Sequence, residues 1–400
     1  MVKFEHFAVE RWMDDYETKS THNLAETCCA SISLDDLQAL SEVKGLSLLS
    51  HSAKMTYGEI PGLKSLRTNL ANLYSSKTST PLPAENILIT PGAIMANHLI
   101  FYSLVGPGDH VICHYPTYQQ LFDTPRSLGA EVDLWKTSPE KNWSLDIDEL
   151  EKMIKKNTKL IVINNPQNPT GAVVTKSNLE KLVAIASAHN ITVMSDEVYR
   201  PIFHGIGPMD KEFPPSILSL GYNNTIAVGS LSKAYSLAGI RTGWIASRSP
   251  EMIARIMNAR HYTTISVSQL DSAVASYALA AHTIHALIGR NIKLAKNNLE
   301  ILDKWVSDHR EFCDYVKPVA GTTAFIRFKR DSKPLNSETL CRRLVEEEKV
   351  LWVPGSHSFG PEFKGFVRIG YVCETEDLKA GLDKASSWLK KEVATLPLDE

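Results

Sequence analysis

Between residues 87 and 246 short apolar runs recur, separated by stretches long enough to hold helices. The runs 87–90, 110–114, 159–163, 191–196, 225–229 and 243–246 are too short for buried helices and read as strands, and residues 93–104 read as a helix. Strands separated in this way are joined by crossovers, not hairpins, and crossovers place strands side by side in parallel with both faces covered. The expectation is an α/β fold with a mostly parallel central sheet flanked by helices.

A different pattern follows. Apolar residues at helical spacing (Ile292, Leu294, Leu299, Leu302, Trp305) predict a long helix over 288–310, and 323–328, 350–353 and 365–370 read as strands of a smaller α+β domain. The N-terminal stretch 4–17, with Phe4, Phe7, Ala8 and Trp12, is expected to pack on that unit. The predicted division is an N-terminal segment at 1–45 packing with the small domain, a large domain at 46–287 and a small domain at 288–400.

With 400 residues, one simple core would be overfilled, which fits two domains. The formal charge of -2, with both signs interspersed, gives no field for nucleic acid. No apolar run approaches the length of a membrane span, and the first residues show no secretory leader. Six cysteines lie without CxxC or Cys/His metal spacing, so no metal is expected and a reducing, cytoplasmic location is.

Chemistry-bearing residues sit at the ends of the predicted strands, where open parallel sheets bind ligands. Ser230-Leu-Ser232-Lys233 is followed eight positions later by Arg241. A lysine amine can form an imine with an aldehyde, and hydroxyl and guanidinium groups suit a phosphate dianion. Asn164-Asn-Pro-Gln-Asn168-Pro-Thr-Gly follows the run 159–163, and Asp196-Glu-Val-Tyr199 ends the run 191–196. Thr90-Pro-Gly92-Ala93-Ile94 leads from a strand into a helix, so the N–H groups of Gly92, Ala93 and Ile94 would face an anion. Tyr118 follows the next strand, Tyr57 lies in Met-Thr-Tyr-Gly-x-x-x-Gly62, and Arg368 lies in Val-Arg-Ile-Gly. Singly, these are ordinary features: Asp196 could cap a helix, Tyr118 could be core, Arg368 could serve a structural ion pair.

In this order and spacing, from about residue 50 to 375, the motifs resemble those of the class I/II aminotransferases. The resemblance implies the fold type I of pyridoxal-phosphate (PLP) enzymes, pyridoxal 5'-phosphate as cofactor and Lys233 as the residue that carries it. It implies that Asp196 pairs with the pyridine nitrogen and Tyr199 donates to the ring oxygen, these three being the catalytic group. Asn168 would bond both the ring hydroxyl and the substrate carboxylate, and Tyr118 would stack on the ring. Gly92, Ala93, Ile94, Ser230, Ser232 and Arg241 would cradle the phosphate. Tyr57 would reach the phosphate of a neighbouring subunit, which implies a homodimer with shared sites. Arg368, with Asn168, would clamp the α-carboxylate of an amino-acid substrate.

Two departures matter. Thr242 stands where the family usually has an aliphatic residue. Residues 23–33 lack the family's usual Gly-x-Pro loop. That region is more similar to the subgroup that includes capreomycidine synthase, whose members use PLP for elimination and ring closure. The implied activity is therefore an aminotransferase acting on an α-amino acid with a 2-oxo acid acceptor, or alternatively a lyase or cyclase acting on a modified amino acid. A non-catalytic binding protein is a third class, disfavoured by the intact Lys233, Asp196 and Arg368. Candidates for the side-chain pocket are residues 26–29, Tyr57, Tyr118 and 261–264. No second arginine marks a dicarboxylic substrate.

Overall fold

A computed structural model describes residues 4–76, 78 and 80–399. The strands, in chain order, are β1 (His22–Asn23), β2 (Ile87–Thr90), β3 (His110–Tyr115), β4 (Glu131–Lys136), β5 (Thr158–Asn164), β6 (Thr192–Asp196), β7 (Thr225–Ser230) and β8 (Gly243–Ser247). β9 (Cys313–Tyr315), β10 (Thr323–Arg330), β11 (Lys333–Pro334), β12 (Val350–Leu351), β13 (Val353–Pro354) and β14 (Phe366–Gly370) follow.

The central sheet runs β2-β8-β7-β6-β5-β3-β4. Pairing is parallel from β7 to β4 and antiparallel where β8 joins β7 and β2. Strand alternation splits its side chains between two cores. Ile112, Ile161, Val193 and Ala227 face one, while Val111, Val162, Met194 and Val228 face the other. Burial on both faces explains why these strands read as continuous apolar runs.

β4 was not expected from the sequence. It is the edge strand, half exposed, and carries Glu131, Asp133 and Lys136. Lys155 Nζ bridges Glu131 and Asp133 at 2.8 and 2.7 Å, so charge protects this edge from further pairing.

The second sheet is antiparallel, with order β11-β10-β14-β13 and β9 paired to β10. The 350–353 strand proves to be two pieces. β12 pairs in parallel with β1, and β13 pairs with β14, with the fully buried Trp352 at the break. The helix Ala8–Tyr16 is fixed there, since Trp12 Nε1 donates to Trp352 O at 2.8 Å.

The long helix runs Ala281–Asp308, starting seven residues before the expected boundary because Ile284 and Leu287 extend its buried stripe. It joins the two sheets through buried amides. Asn291 Nδ2 donates to Ala234 O, and Asn298 Nδ2 donates to Tyr371 O and Cys373 O, each at 2.8 Å. Among the described residues no helix is long and apolar enough to cross a membrane, and no His/Cys/Asp/Glu cluster could hold a metal.

Candidate active site

β3, β5, β6 and β7 are parallel, so their carboxyl ends open on one edge of the sheet. A cavity of about 470 Å³ lies there, bordered by Tyr118, Asn168, Asp196, Ser230, Lys233 and Arg368. Register brings two of the motifs together, since Asn164 and Asp196 are direct partners across β5 and β6. Asn164 Oδ1 accepts from Asn168 N at 2.7 Å, and Asn164 Nδ2 donates to Asp196 O at 3.1 Å. The first asparagine of the turn thus holds the second in the cavity.

One end of the cavity is built for an anion. The helix Gly92–Leu104 begins at this wall, and Ala93 and Ile94 line it. The first N–H groups of a helix have no intrahelical acceptor and carry the positive end of its dipole. Ser230 Oγ donates to Ser232 Oγ at 2.9 Å, and Arg241 Nη1 donates to Ser232 Oγ at 3.3 Å and Ala238 O at 2.9 Å. Gly92 has φ +77°, and a Cβ there would sit 2.8 Å from Arg241 Nη2. Only glycine lets helix start and guanidinium converge so closely. The Thr242 hydroxyl donates to Ile240 O at 3.2 Å, and its carbonyl accepts from Ser230 Oγ at 3.2 Å, so only its backbone meets the cradle.

Asp196 lies deeper. Its Oδ1 accepts from Val198 N at 3.2 Å and its Oδ2 from Asn97 Nδ2 at 3.3 Å. Burial raises its carboxyl to about 6, although both of those bonds pull it down. Among the described residues no cation forms an ion pair with this carboxylate, Lys233 pulling on it less than the two bonds do, and a protonated ring nitrogen would supply one. Asn97 was missed from sequence. An amide among Ala96, Leu99 and Ile100, on an otherwise buried helix face, was the available signal. Its Oδ1 is buried without a partner. Tyr199 is also buried, and burial raises its hydroxyl pKa.

The opposite wall is a strap formed by residues 24–32. Gly370 N bonds Leu24 O, Ala30 N bonds Val372 O, and Cys29 N bonds Lys233 O, at 2.7, 2.7 and 2.9 Å. Thr322 Oγ1 donates to Thr27 O at 2.7 Å. The strap thereby places Glu26, Thr27 and Cys28 around the lysine. Lys233 Nζ donates to Thr27 Oγ1 at 2.6 Å and lies 3.7 Å from Cys28 Sγ and 3.5 Å from Glu26 Oε1. Burial lowers the lysine pKa, but Cys28, Glu26 and Tyr199 outweigh it and the net shift is upward.

Arg368 is only 3% exposed. Its Nη1 donates to Asn168 Oδ1 at 3.3 Å and its Nη2 to Ala25 O at 2.8 Å, while Nε is buried without a partner. Its guanidinium lies over the Phe359 ring. Among the described residues no carboxylate neutralises it by hydrogen bond, so its free Nε can take an anion. Tyr118 lines the same cavity, its hydroxyl donating to Glu10 Oε1 at 2.8 Å and its ring against Phe7. Val9, Glu10, Met13 and Glu17 of the N-terminal segment also line the cavity and belong to no motif.

Tyr57 is not brought to the cavity of its own chain. It is 76% exposed in a separate groove of about 360 Å³ with Leu49, Met55 and Val267. Tyr262, in the 261–264 segment, is likewise exposed.

The residues present fit pyridoxal 5'-phosphate. The Gly92–Arg241 cradle suits its phosphate, the uncompensated Asp196 suits its ring nitrogen, and the Lys233 amine suits its aldehyde. The comparisons with known proteins agree. The sequence model of the family "Aminotransferase class I and II" matches residues 32–384. The chain is 30% identical over 309 residues to capreomycidine synthase of Streptomyces vinaceus, covering 77% of this chain and 76% of that protein. A crystal structure of a PLP-dependent aminotransferase from Streptococcus suis 89-1591 superposes with a TM-score of 0.88 at 40% identity, covering 97% of this chain and 98% of that one. The PLP-dependent cyclase OrfR shares the fold, with a TM-score of 0.84 at 24% identity over 98% of each chain. From the strand-end motifs, the cradle and this coverage together, the chain belongs to the class I and II aminotransferase family and is a fold type I enzyme that uses pyridoxal 5'-phosphate.

Proposed function

We propose that this enzyme is an aminotransferase that takes an α-amino acid and passes its amino group to a 2-oxo acid. The observation that carries the reading is Arg368, a buried guanidinium with a free Nε and Asn168 at its side, facing the same cavity as the Lys233 amine. A fork of N–H donors matches a planar carboxylate in two places at once. Bound PLP supplies an aldehyde for the amino group and an electron sink for the bond broken at Cα. Gly92, Ala93, Ile94, Ser230, Ser232 and Arg241 hold the phosphate. Asp196 keeps a proton on the ring nitrogen, and Tyr199 and Asn168 orient the ring through its oxygen, with Tyr118 against its face. Arg368 fixes the α-carboxylate so that the Cα–H bond points at Lys233 Nζ, which takes that proton and returns it. The carboxylate spans elements of both domains, so its binding draws them together and excludes water.

A lyase or cyclase is the second reading. It is supported by the strap at 24–32, which has no Gly-Pro turn and sets Thr27 and Cys28 on the lysine, and by the similarity to capreomycidine synthase. Given an amino acid without any oxo acid, a transaminase releases about one keto product per site and stops. Continuous product release without an acceptor would overturn the aminotransferase reading and favour the second.

We place the active enzyme in a homodimer in the cytoplasm. The reading is supported by Tyr57 and Tyr262, which are exposed and do not line the cavity of their own chain, as residues serving a partner's site would be. Full activity in a species sedimenting as a monomer would refute the dimer.

A further inference from the structure

The proposed function uses the Lys233 amine twice, once toward the cofactor aldehyde and once, free, toward the proton on Cα. A free lysine amine ends a flexible four-carbon stem and has no direction of its own. A base must stand within reach of the proton it takes, so something has to aim it. The strap at 24–32 can do that.

Thr27 is the group at hand. Lys233 Nζ donates to Thr27 Oγ1 at 2.6 Å. The other two strap groups near the amine are poorer acceptors. Cys28 Sγ lies 3.7 Å away, and Glu26 Oε1, at 3.5 Å, already accepts from Thr27 N at 2.6 Å and Cys28 N at 3.2 Å. Thr27 is itself held, since it is only 5% exposed and its carbonyl accepts from Thr322 Oγ1 at 2.7 Å. Cys29 N donates to Lys233 O at 2.9 Å, so the strap grips the lysine at its backbone as well as at its amine. Accepting from Lys233 leaves the Thr27 hydrogen for Tyr199. Burial raises the Tyr199 hydroxyl, while Lys233, Arg368 and a bond from the Thr27 side chain pull it down.

We propose that Thr27 is a positioning residue for the proton transfer: its hydroxyl, anchored by Thr322, holds the free Lys233 amine by one N–H and leaves the lone pair for the Cα proton. Thr27 takes no proton itself. The proton passes from Cα to Nζ and back, and both the amine and the ammonium can keep the bond to Thr27. The inference rests on the proposed function in one respect, that Lys233 moves the Cα proton. The aminotransferase and the lyase or cyclase share that step.

The test compares Thr27→Val, which keeps the shape and loses the hydroxyl, with Thr27→Ser, which does the reverse. Holoenzyme is incubated in deuterated water with each common proteinogenic amino acid in turn, and exchange of the α-proton is followed. Thr27→Val should slow exchange about 10- to 100-fold with little change in KM, and Thr27→Ser should stay near wild type. A second readout uses cofactor-free protein. An oxygen that accepts from an ammonium favours the charged form, so at about pH 9 acylation of Lys233, located by peptide mapping, should be about tenfold faster in Thr27→Val than in wild type or Thr27→Ser. Loss of packing alone would give the opposite order, because serine leaves a gap and valine does not. If Thr27→Val does not fold, Thr27→Ala against Thr27→Ser makes the same comparison. Exchange in Thr27→Val within about twofold of wild type, or Thr27→Ser impaired as much as Thr27→Val, would overturn the inference and leave the proposed function standing. No exchange by wild type with any of the amino acids would overturn the proposed function, and the order of acylation would still decide whether Thr27 holds the amine.

Discussion

The two ends of the cavity are made in different ways. The phosphate end comes from short segments, 90–94 and 230–242, whose groups are bonded mostly to one another. The strap end is assembled over long distances: Thr27 meets Lys233 and Thr322, and Arg368 meets Ala25. Local geometry suffices to hold a constant group such as a phosphate. The end assigned to the substrate in the proposed function is borrowed from three parts of the chain and meets the cradle segment at Lys233.

The sharpest break of that comparison is at the point where the ends meet. Lys233→Ala should reduce turnover by at least about 10,000-fold and abolish the visible absorption of bound cofactor. Borohydride treatment of wild type followed by peptide mapping should locate the cofactor on Lys233, and an adduct on another lysine would defeat the assignment.

Asp196 belongs to the deep centre. Asp196→Ala should lower the rate about 100- to 1,000-fold while still allowing cofactor to bind, and near-normal exchange of the α-proton would contradict the role. A pH effect follows from the same burial. The carboxyl stands at about 6 in the folded chain against a reference of 3.8. For an acid with a raised folded pKa, the stabilisation is full below the unfolded value and is lost as pH rises through the folded one. In cofactor-free protein, wild type should therefore lose up to about 3 kcal/mol relative to Asp196→Asn between about pH 4 and 7. Cofactor loading should reverse the trend. A gap between the two proteins that does not vary with pH would show that Asp196 is already compensated.

What the sequence made legible follows the same division. The strands at 87–90, 110–115, 158–164, 192–196 and 225–230 are buried on both faces, so composition marks them, and their motifs travel with them. β4 escaped because an edge strand alternates with charge. Asn97 escaped because its partner Asp196 is 99 residues away. Glu10 and Glu17 escaped because no local pattern says that the N-terminal segment will roof a site whose other residues run from Ala93 to Arg368. Tyr57 was singled out by its motif, yet within one chain it faces solvent, so a cofactor role for it would require a partner chain.

On the substrate side, Arg368→Lys should raise KM about thirtyfold, equivalent to about 2 kcal/mol, and lower kcat as closure becomes incomplete. An ammonium cannot replace both forks of the guanidinium. Cofactor absorbance should stay unchanged. The decisive comparison is an amino acid against the amine that lacks its carboxylate. If wild type uses both equally, or the variant loses stability but not discrimination, Arg368 is structural.

The mildest change addresses the phosphate end alone. Gly92 adopts φ +77°, where a Cβ costs about 1 kcal/mol before any contact is counted. In Gly92→Ala the new methyl would also fall 2.8 Å from Arg241 Nη2. The far end of an arginine can yield, so the protein should fold, with Arg241 displaced from its bond to Ser232 Oγ. Cofactor affinity should then drop about tenfold, measured by dialysis against graded pyridoxal 5'-phosphate. The relative preference among amino acids should not move, because the strap and Arg368 share no bond with Gly92. A change in that preference would mean that the two ends are coupled, and that the strap responds to the cofactor's position.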